Sequence, residues 1–136
     1  MAFVWPSRVR FVDTDASGRI HYTAMLKHFE YAEQEFFRSL GFTYTNPHAL
    51  GYGFPRVHVE CDFAAIVSYD DLLAIEVIVE RIGSTSFTLA FDVAVEGRPV
   101  ARGKLVIVCV DFTTKQSRPL PPEFRAMLTQ CKAASN

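Results

Sequence analysis

A chain of 136 residues, 49% hydrophobic and 21% charged, is sized for one domain that buries a core without help from disulfides or metal. A formal net charge of -1 and a pI near 6.4 speak against a general nucleic-acid binder, which draws on a basic surplus. Three cysteines without a CxxC pair, no basic-then-apolar leader and no uncharged apolar window of about 18 residues predict a cytoplasmic protein with reduced thiols, neither secreted nor membrane-inserted.

Ser7 to Val12 alternates Arg8 and Arg10 with Val9 and Phe11, which predicts a half-buried first strand. The stretch Asp13-Thr14-Asp15-Ala16-Ser17-Gly18-Arg19-Ile20-His21-Tyr22 follows and places two carboxylates and a glycine turn before a helix. From Tyr22 to Leu40 the residues Met25, Phe29, Ala32, Phe36 and Leu40 recur at helical spacing, and Gly41 ends the run. The apolar face is wide enough that the rest of the fold is expected to wrap this helix.

Phe42 to Gly53, rich in Gly, Pro, Asn and Thr, reads as a connecting loop. Phe54 to Phe63 then alternates Val57, Val59, Cys61 and Phe63 with Arg56, His58, Glu60 and Asp62. A Ser68 to Asp71 turn precedes a strand over Leu72 to Ile82, and a further strand over Thr85 to Glu96 ends in a Gly97-Arg98-Pro99 turn. Val100 to Phe112 and a short helix from about Pro121 to Cys131 complete an antiparallel meander. Leu105 to Val110 is apolar on both faces, so a second cover is expected over that strand, and a homo-oligomer with it.

The helix start offers chemistry, because its first N–H groups lack intrahelical acceptors and can stabilise a developing oxyanion near Asp15. Asp13-x-Asp15-x-Ser17-Gly18 also imitates half of a calcium loop. That reading fails at the twelfth position, where Ala24 stands instead of a bidentate Glu, and no metal is expected. Aspartates commonly cap turns and helix starts, so the residues alone leave capping and catalysis both open. Asp13, at the strand end, suits a structural role better than Asp15 does. His21 adjoins the turn and is a site-lining candidate, whereas His28, Glu30, Glu33 and Glu35 read as polar helix-surface residues. No GxSxG elbow, phosphate loop, dinucleotide turn or HExxH helix occurs.

The order of elements and this motif, with Cys61-Asp62-Phe63 and Ser68-Tyr69-Asp70-Asp71-Leu72-Leu73 further on, resemble the hotdog-fold acyl-CoA thioesterases of the 4-hydroxybenzoyl-CoA thioesterase family. The resemblance covers most of the chain and implies a single α+β hotdog domain over 1–136, a long central helix wrapped by a curved antiparallel sheet. It implies hydrolysis of an aryl- or short-chain acyl-CoA thioester, with Asp15 as nucleophile or general base and the Tyr22 backbone N–H as oxyanion donor. Gly18 would permit the turn, and Ile20, His21 and Met25 would line the acyl site with residues of a partner chain. Such proteins form dimers or tetramers of two dimers, with no cofactor beyond the CoA of the substrate. A departure lies at Gly83-Ser84-Thr85-Ser86, where some relatives carry basic residues for the CoA phosphates; Arg81, Arg102, Lys104, Lys115 and Arg118 are the other cations available. A non-catalytic acyl-CoA or small-ligand binding hotdog protein is the alternative from another class, and a hotdog dehydratase would need a differently placed His/Asp pair.

Overall fold

The computed structural model describes residues 2–42 and 50–135, with side chains given through Lys132. In chain order the elements are β1 (Phe3–Arg8), a 3-10 turn (Phe11–Asp13), α1 (Tyr22–Ser39), β2 (Tyr52–Gly53), β3 (Arg56–Phe63), β4 (Leu72–Ile82), β5 (Ser86–Val95), β6 (Arg98–Val108), β7 (Val110–Asp111) and α2 (Pro122–Ser135). Most of the predicted Phe42 to Gly53 loop, residues 43–49, lies outside the described residues.

Five strands form one antiparallel sheet in the order β1-β4-β5-β6-β3, while β2 and β7 pair separately. The consecutive strands β4, β5 and β6 are the expected meander, and β1 and β3 add to its two sides. Alternation decides the faces. Leu73, Ile75, Val77 and Val79 of β4 and Phe87, Leu89, Phe91 and Val93 of β5 are buried against α1, whose Met25, Phe29, Ala32, Phe36 and Phe37 fill the concave side. Gly103 lets the Phe29 ring lie on the sheet, because a Cβ there would run into that ring; Phe29 in turn stacks on Phe91 at 4.7 Å between centroids. At the far end Phe87 and Phe124 of α2 sit 5.4 Å apart among Phe37, Phe42 and Phe54.

Several sequence expectations shift. The first strand begins at Phe3 and ends at Arg8, because Asp13 folds the following residues into a 3-10 turn by accepting from the Arg10 N–H at 2.9 Å. The turn between β5 and β6 is Glu96-Gly97, both at positive φ of 51° and 78°, so Arg98 and Pro99 already belong to β6. Burial covers one side of α1 only; Lys27, Glu30, Gln34 and Arg38 on the other side are exposed.

His28 and Glu33 are not surface residues: they are 1% and 0% exposed. Ser7 and Asp13 bracket His28, and Arg56 at the start of β3 pairs with the Glu33 carboxylate, which is what allows charges to be buried there. In β6, Leu105 and Ile107 are buried while Val106 and Val108 are half-buried on the outer face. The larger uncovered apolar surface is on the edge strand β3, where Val57, Val59 and Phe63 are 61%, 45% and 44% exposed. Among the described residues no helix is long and apolar enough to cross a membrane.

Candidate active site

The Asp turn is a miniature hairpin. Thr14 bridges Ile20, the Asp15 N–H donates to the Arg19 carbonyl at 3.0 Å, and the Gly18 N–H returns to the Asp15 carbonyl at 3.0 Å. Gly18 sits at φ +79°, a conformation that costs glycine little and other residues more. The hairpin is stitched to the segment after β3: the Ile20 N–H donates to Val67 at 2.9 Å, and the Tyr69 N–H donates to Gly18 at 3.1 Å. On its other side the His21 N–H donates to the Asp13 carbonyl at 2.7 Å.

The Asp15 side chain is exposed and its Oδ1 accepts two hydrogen bonds from Ser17, 2.8 Å from the N–H and 2.5 Å from the hydroxyl. These bonds favour the ionised form and hold the carboxyl below its usual range, with lesser help from the charges of His21 and Arg19. The carboxylate is therefore ionised throughout the neutral range. Ser17→Ala removes the hydroxyl donor and is expected to raise the Asp15 pKa toward the ordinary carboxylate value, as a carboxyl-detected NMR titration would read. An unchanged titration would mean that the backbone bond alone sets it.

At the start of α1, His21 is the N-cap: its Nδ1 accepts from the Thr23 N–H at 3.2 Å, and its carbonyl takes the Ala24 N–H at 2.9 Å. Thr23 and Ala24 are thus satisfied, whereas among the described residues nothing accepts from the Tyr22 N–H. The helix start is capped by His21, and Asp15 caps only its own turn. An ionised carboxylate and an open helix N–H thus stand at opposite ends of one pinned hairpin, with His21 stacked on the Tyr22 ring at 4.7 Å.

Of the other candidates, Met25 is fully buried and Ile20 nearly so, backing the hairpin from the core. The surface around the turn is apolar and open: Phe11, Val12 and Tyr22 are 79%, 85% and 70% exposed, and Ile66 and Tyr69 on the stitched segment are about half exposed. Cys61 is a poor competing nucleophile, since burial and then Asp62 push its thiol up to about 11. Two cations considered for CoA are engaged elsewhere, Arg102 with Asp92 at 3.3 Å and Lys104 with Glu80 at 2.9 Å, while Arg118 lies 4.8 Å over the Tyr52 ring. Arg125, unremarkable in sequence, ties the neutral turn down by donating to the Gly83 and Ser84 carbonyls at 2.6 and 2.9 Å. Ser17 and His28 are the other residues that sequence reasoning missed. Ser17 could have been found from its Asp-x-Ser spacing, which makes an Asx turn.

Residues 9–128 match the family profile of the thioesterase-like superfamily. The chain belongs to that superfamily. Its α+β architecture is the hotdog fold, as the family resemblance implied. This thioesterase-like chain is 32% identical over 127 residues to a 1,4-dihydroxy-2-naphthoyl-CoA hydrolase of Nostoc punctiforme, covering 90% of the chain and 84% of that protein. It is 26% identical over 131 residues to the acyl-CoA thioesterase YbgC of Haemophilus influenzae, covering 96% of each. Among solved structures, a gentisyl-coenzyme A thioesterase superposes with a TM-score of 0.83 at 30% identity, over 92% of this chain and 98% of that one.

Proposed function

We propose that this thioesterase-like protein hydrolyses an aryl acyl-CoA thioester, with Asp15 as the catalytic carboxylate and the Tyr22 N–H as oxyanion donor. The observation that carries the reading is the pairing, on one pinned hairpin, of an ionised exposed carboxylate with the helix N–H left open. Attack of the Asp15 carboxylate on the thioester carbon gives an acyl-enzyme anhydride and releases CoA thiolate; water then cleaves the anhydride and restores the carboxylate. As general base, Asp15 would instead take a proton from the attacking water. Both routes put negative charge on the carbonyl oxygen, where a positioned N–H contributes about 3 kcal/mol. Gly18 shapes the turn and the exposed His21 faces the acyl site, while the buried Ile20 and Met25 support it from behind.

The aryl preference draws on two relatives named for aromatic acyl-CoAs and on the exposed ring and aliphatic surface around the turn. 4-Hydroxybenzoyl-CoA is one member of that class. Short-chain acyl-CoA is the second reading, favoured by the likeness to the acyl-CoA thioesterase YbgC. A panel of benzoyl-, hydroxybenzoyl-, acetyl-, butyryl- and hexanoyl-CoA, followed by thiol release, is expected to give the highest kcat/KM with an aryl member. Binding without turnover of any member would sink the catalytic reading and leave a binding protein.

A second exposed surface, on β3, supports a homo-oligomer. An edge strand with Val57, Val59 and Phe63 uncovered is a liability unless another chain covers it. Sedimentation at micromolar concentration is expected to give a dimer or a tetramer of two dimers, and Val59→Glu should shift it toward the 15.3 kDa monomer. A wild-type monomer would remove the interface from the proposal.

A further inference from the structure

Beneath the Asp hairpin lies a buried chain of three polar side chains. His28, on the second turn of α1, is 1% exposed; its Nε2 stands 2.9 Å from Asp13 Oδ2, and its Nδ1 stands 2.6 Å from Ser7 Oγ of β1. In a neutral ring the Nε2–H donates to the carboxylate and Nδ1 accepts from the serine hydroxyl. Asp13 and Ser7 are themselves 7% and 8% exposed, and His28 is the side chain that joins them in the interior.

Asp13 connects everything around the turn. Its carboxylate takes the Arg10 N–H at 2.9 Å as well as His28, and its carbonyl takes the His21 N–H at 2.7 Å. One residue on, Thr14 makes the first rung of the hairpin with Ile20, and the next residue is Asp15. The orientation of Asp13 therefore sets both the start of the hairpin and the residue before Tyr22. His28 is the only side-chain donor to that carboxylate among the described residues, and it is carried by α1 itself.

We infer that His28, braced by Ser7, is a positioning residue that acts through Asp13 to fix the Asp15 carboxylate relative to the Tyr22 N–H. The inference rests on the proposed catalytic reading of Asp15. A structural filler would need only shape, whereas this arrangement needs a donor at the Nε2 position. A misplacement of about 1 Å in a reacting group costs on the order of a hundredfold in rate, so a loosened Asp13 registers in kcat before it registers in binding. A cavity of about 440 Å³, bounded in part by Trp5, Arg10, Asp13, His28 and Tyr31, opens over the chain. It lets water reach Asp13 when His28 is shortened, so such variants should fold.

The test compares His28→Ala, His28→Gln and Ser7→Ala with the wild type and with Asp15→Asn, using the acyl-CoA of highest turnover in the panel. Amide hydrogen exchange is read in parallel at Gly18 and His21. His28→Ala is expected to lower kcat by about 10- to 100-fold with KM within about threefold. Gln, which restores an N–H donor, should recover most of the loss, with Ser7→Ala intermediate. Exchange at Gly18 and His21 should accelerate in His28→Ala while the β4 and β5 amides stay protected.

Wild-type kcat and unchanged exchange in His28→Ala would overturn the inference and leave the Asp15 reading standing. Equal losses in the Ala and Gln variants would reduce His28 to packing and overturn it too. Full activity in Asp15→Asn would instead remove the catalytic reading, and the exchange data alone would then decide whether His28 holds the turn.

Discussion

Replacing Asp15 by Asn is expected to lower kcat by about a thousandfold or more while the protein folds and melts as the wild type does. Asn keeps an oxygen where Asp15 Oδ1 now accepts from the Ser17 N–H and hydroxyl, so the turn retains its geometry. What disappears is the negative charge, and with it both the nucleophile and the base. The lowered pKa gives the reaction a sign in pH: the active carboxylate form persists below the ordinary carboxylate range and is lost only as the pH falls through that depressed value. Asp13→Asn provides the contrast. It sits in the buried network with His28, so its replacement should cost about 1–3 kcal/mol of stability through an imperfectly paired interior group, and should lower kcat no more than His28→Ala does, well short of the Asp15→Asn loss. Steady-state kinetics and thermal melts on the two variants separate the roles. An Asp15→Asn enzyme with near wild-type kcat would end the assignment.

The contrast also shows which parts of the protein were open to a reader of the sequence. Met25, Phe29, Ala32 and Phe36 announce α1, and the alternation in β4 and β5 announces two strands, because burial there follows a local period. The Asp13 to Tyr22 segment was legible for the same reason, since a turn glycine and a helix start are written within ten residues. The burial of His28 and Glu33 is not written in the helix pattern, because their partners, Ser7 and Arg56, lie 21 and 23 residues away on β1 and β3, where no period reaches. The pattern Val57, Val59, Cys61 and Phe63 marks a face meant for burial, yet nothing in it says that β3 stands at the edge of the sheet. Leu105 to Val110 looks doubly apolar because Leu105 and Ile107 face the core while Val106 and Val108 are half-buried on the outer face. In the fold β6 lies inside the sheet, between β5 and β3.

Tyr22→Pro tests the other half of the chemistry, and the local structure makes it a clean substitution. Tyr22 is the first residue of α1, where proline fits the helical φ and where the missing N–H breaks no intrahelical bond. The preceding residue, His21, is at φ -68° and ψ 136°, the extended conformation that a following proline requires. The bonds that cap the helix, from the Thr23 and Ala24 N–H groups to His21, do not involve the Tyr22 nitrogen and should persist. The variant therefore loses one N–H and one exposed phenol ring. Tyr22→Ala loses the ring and keeps the N–H, so the difference between the two isolates the donor. The proline variant is expected to turn over about 100- to 1000-fold more slowly than the alanine variant, with similar KM and an undiminished melting temperature, as for removal of a single oxyanion donor. Because the N–H meets the thioester oxygen most strongly when charge develops there, the loss should fall on kcat. Equal rates in the two variants would place oxyanion stabilisation elsewhere and leave the open N–H at the start of α1 without a catalytic part.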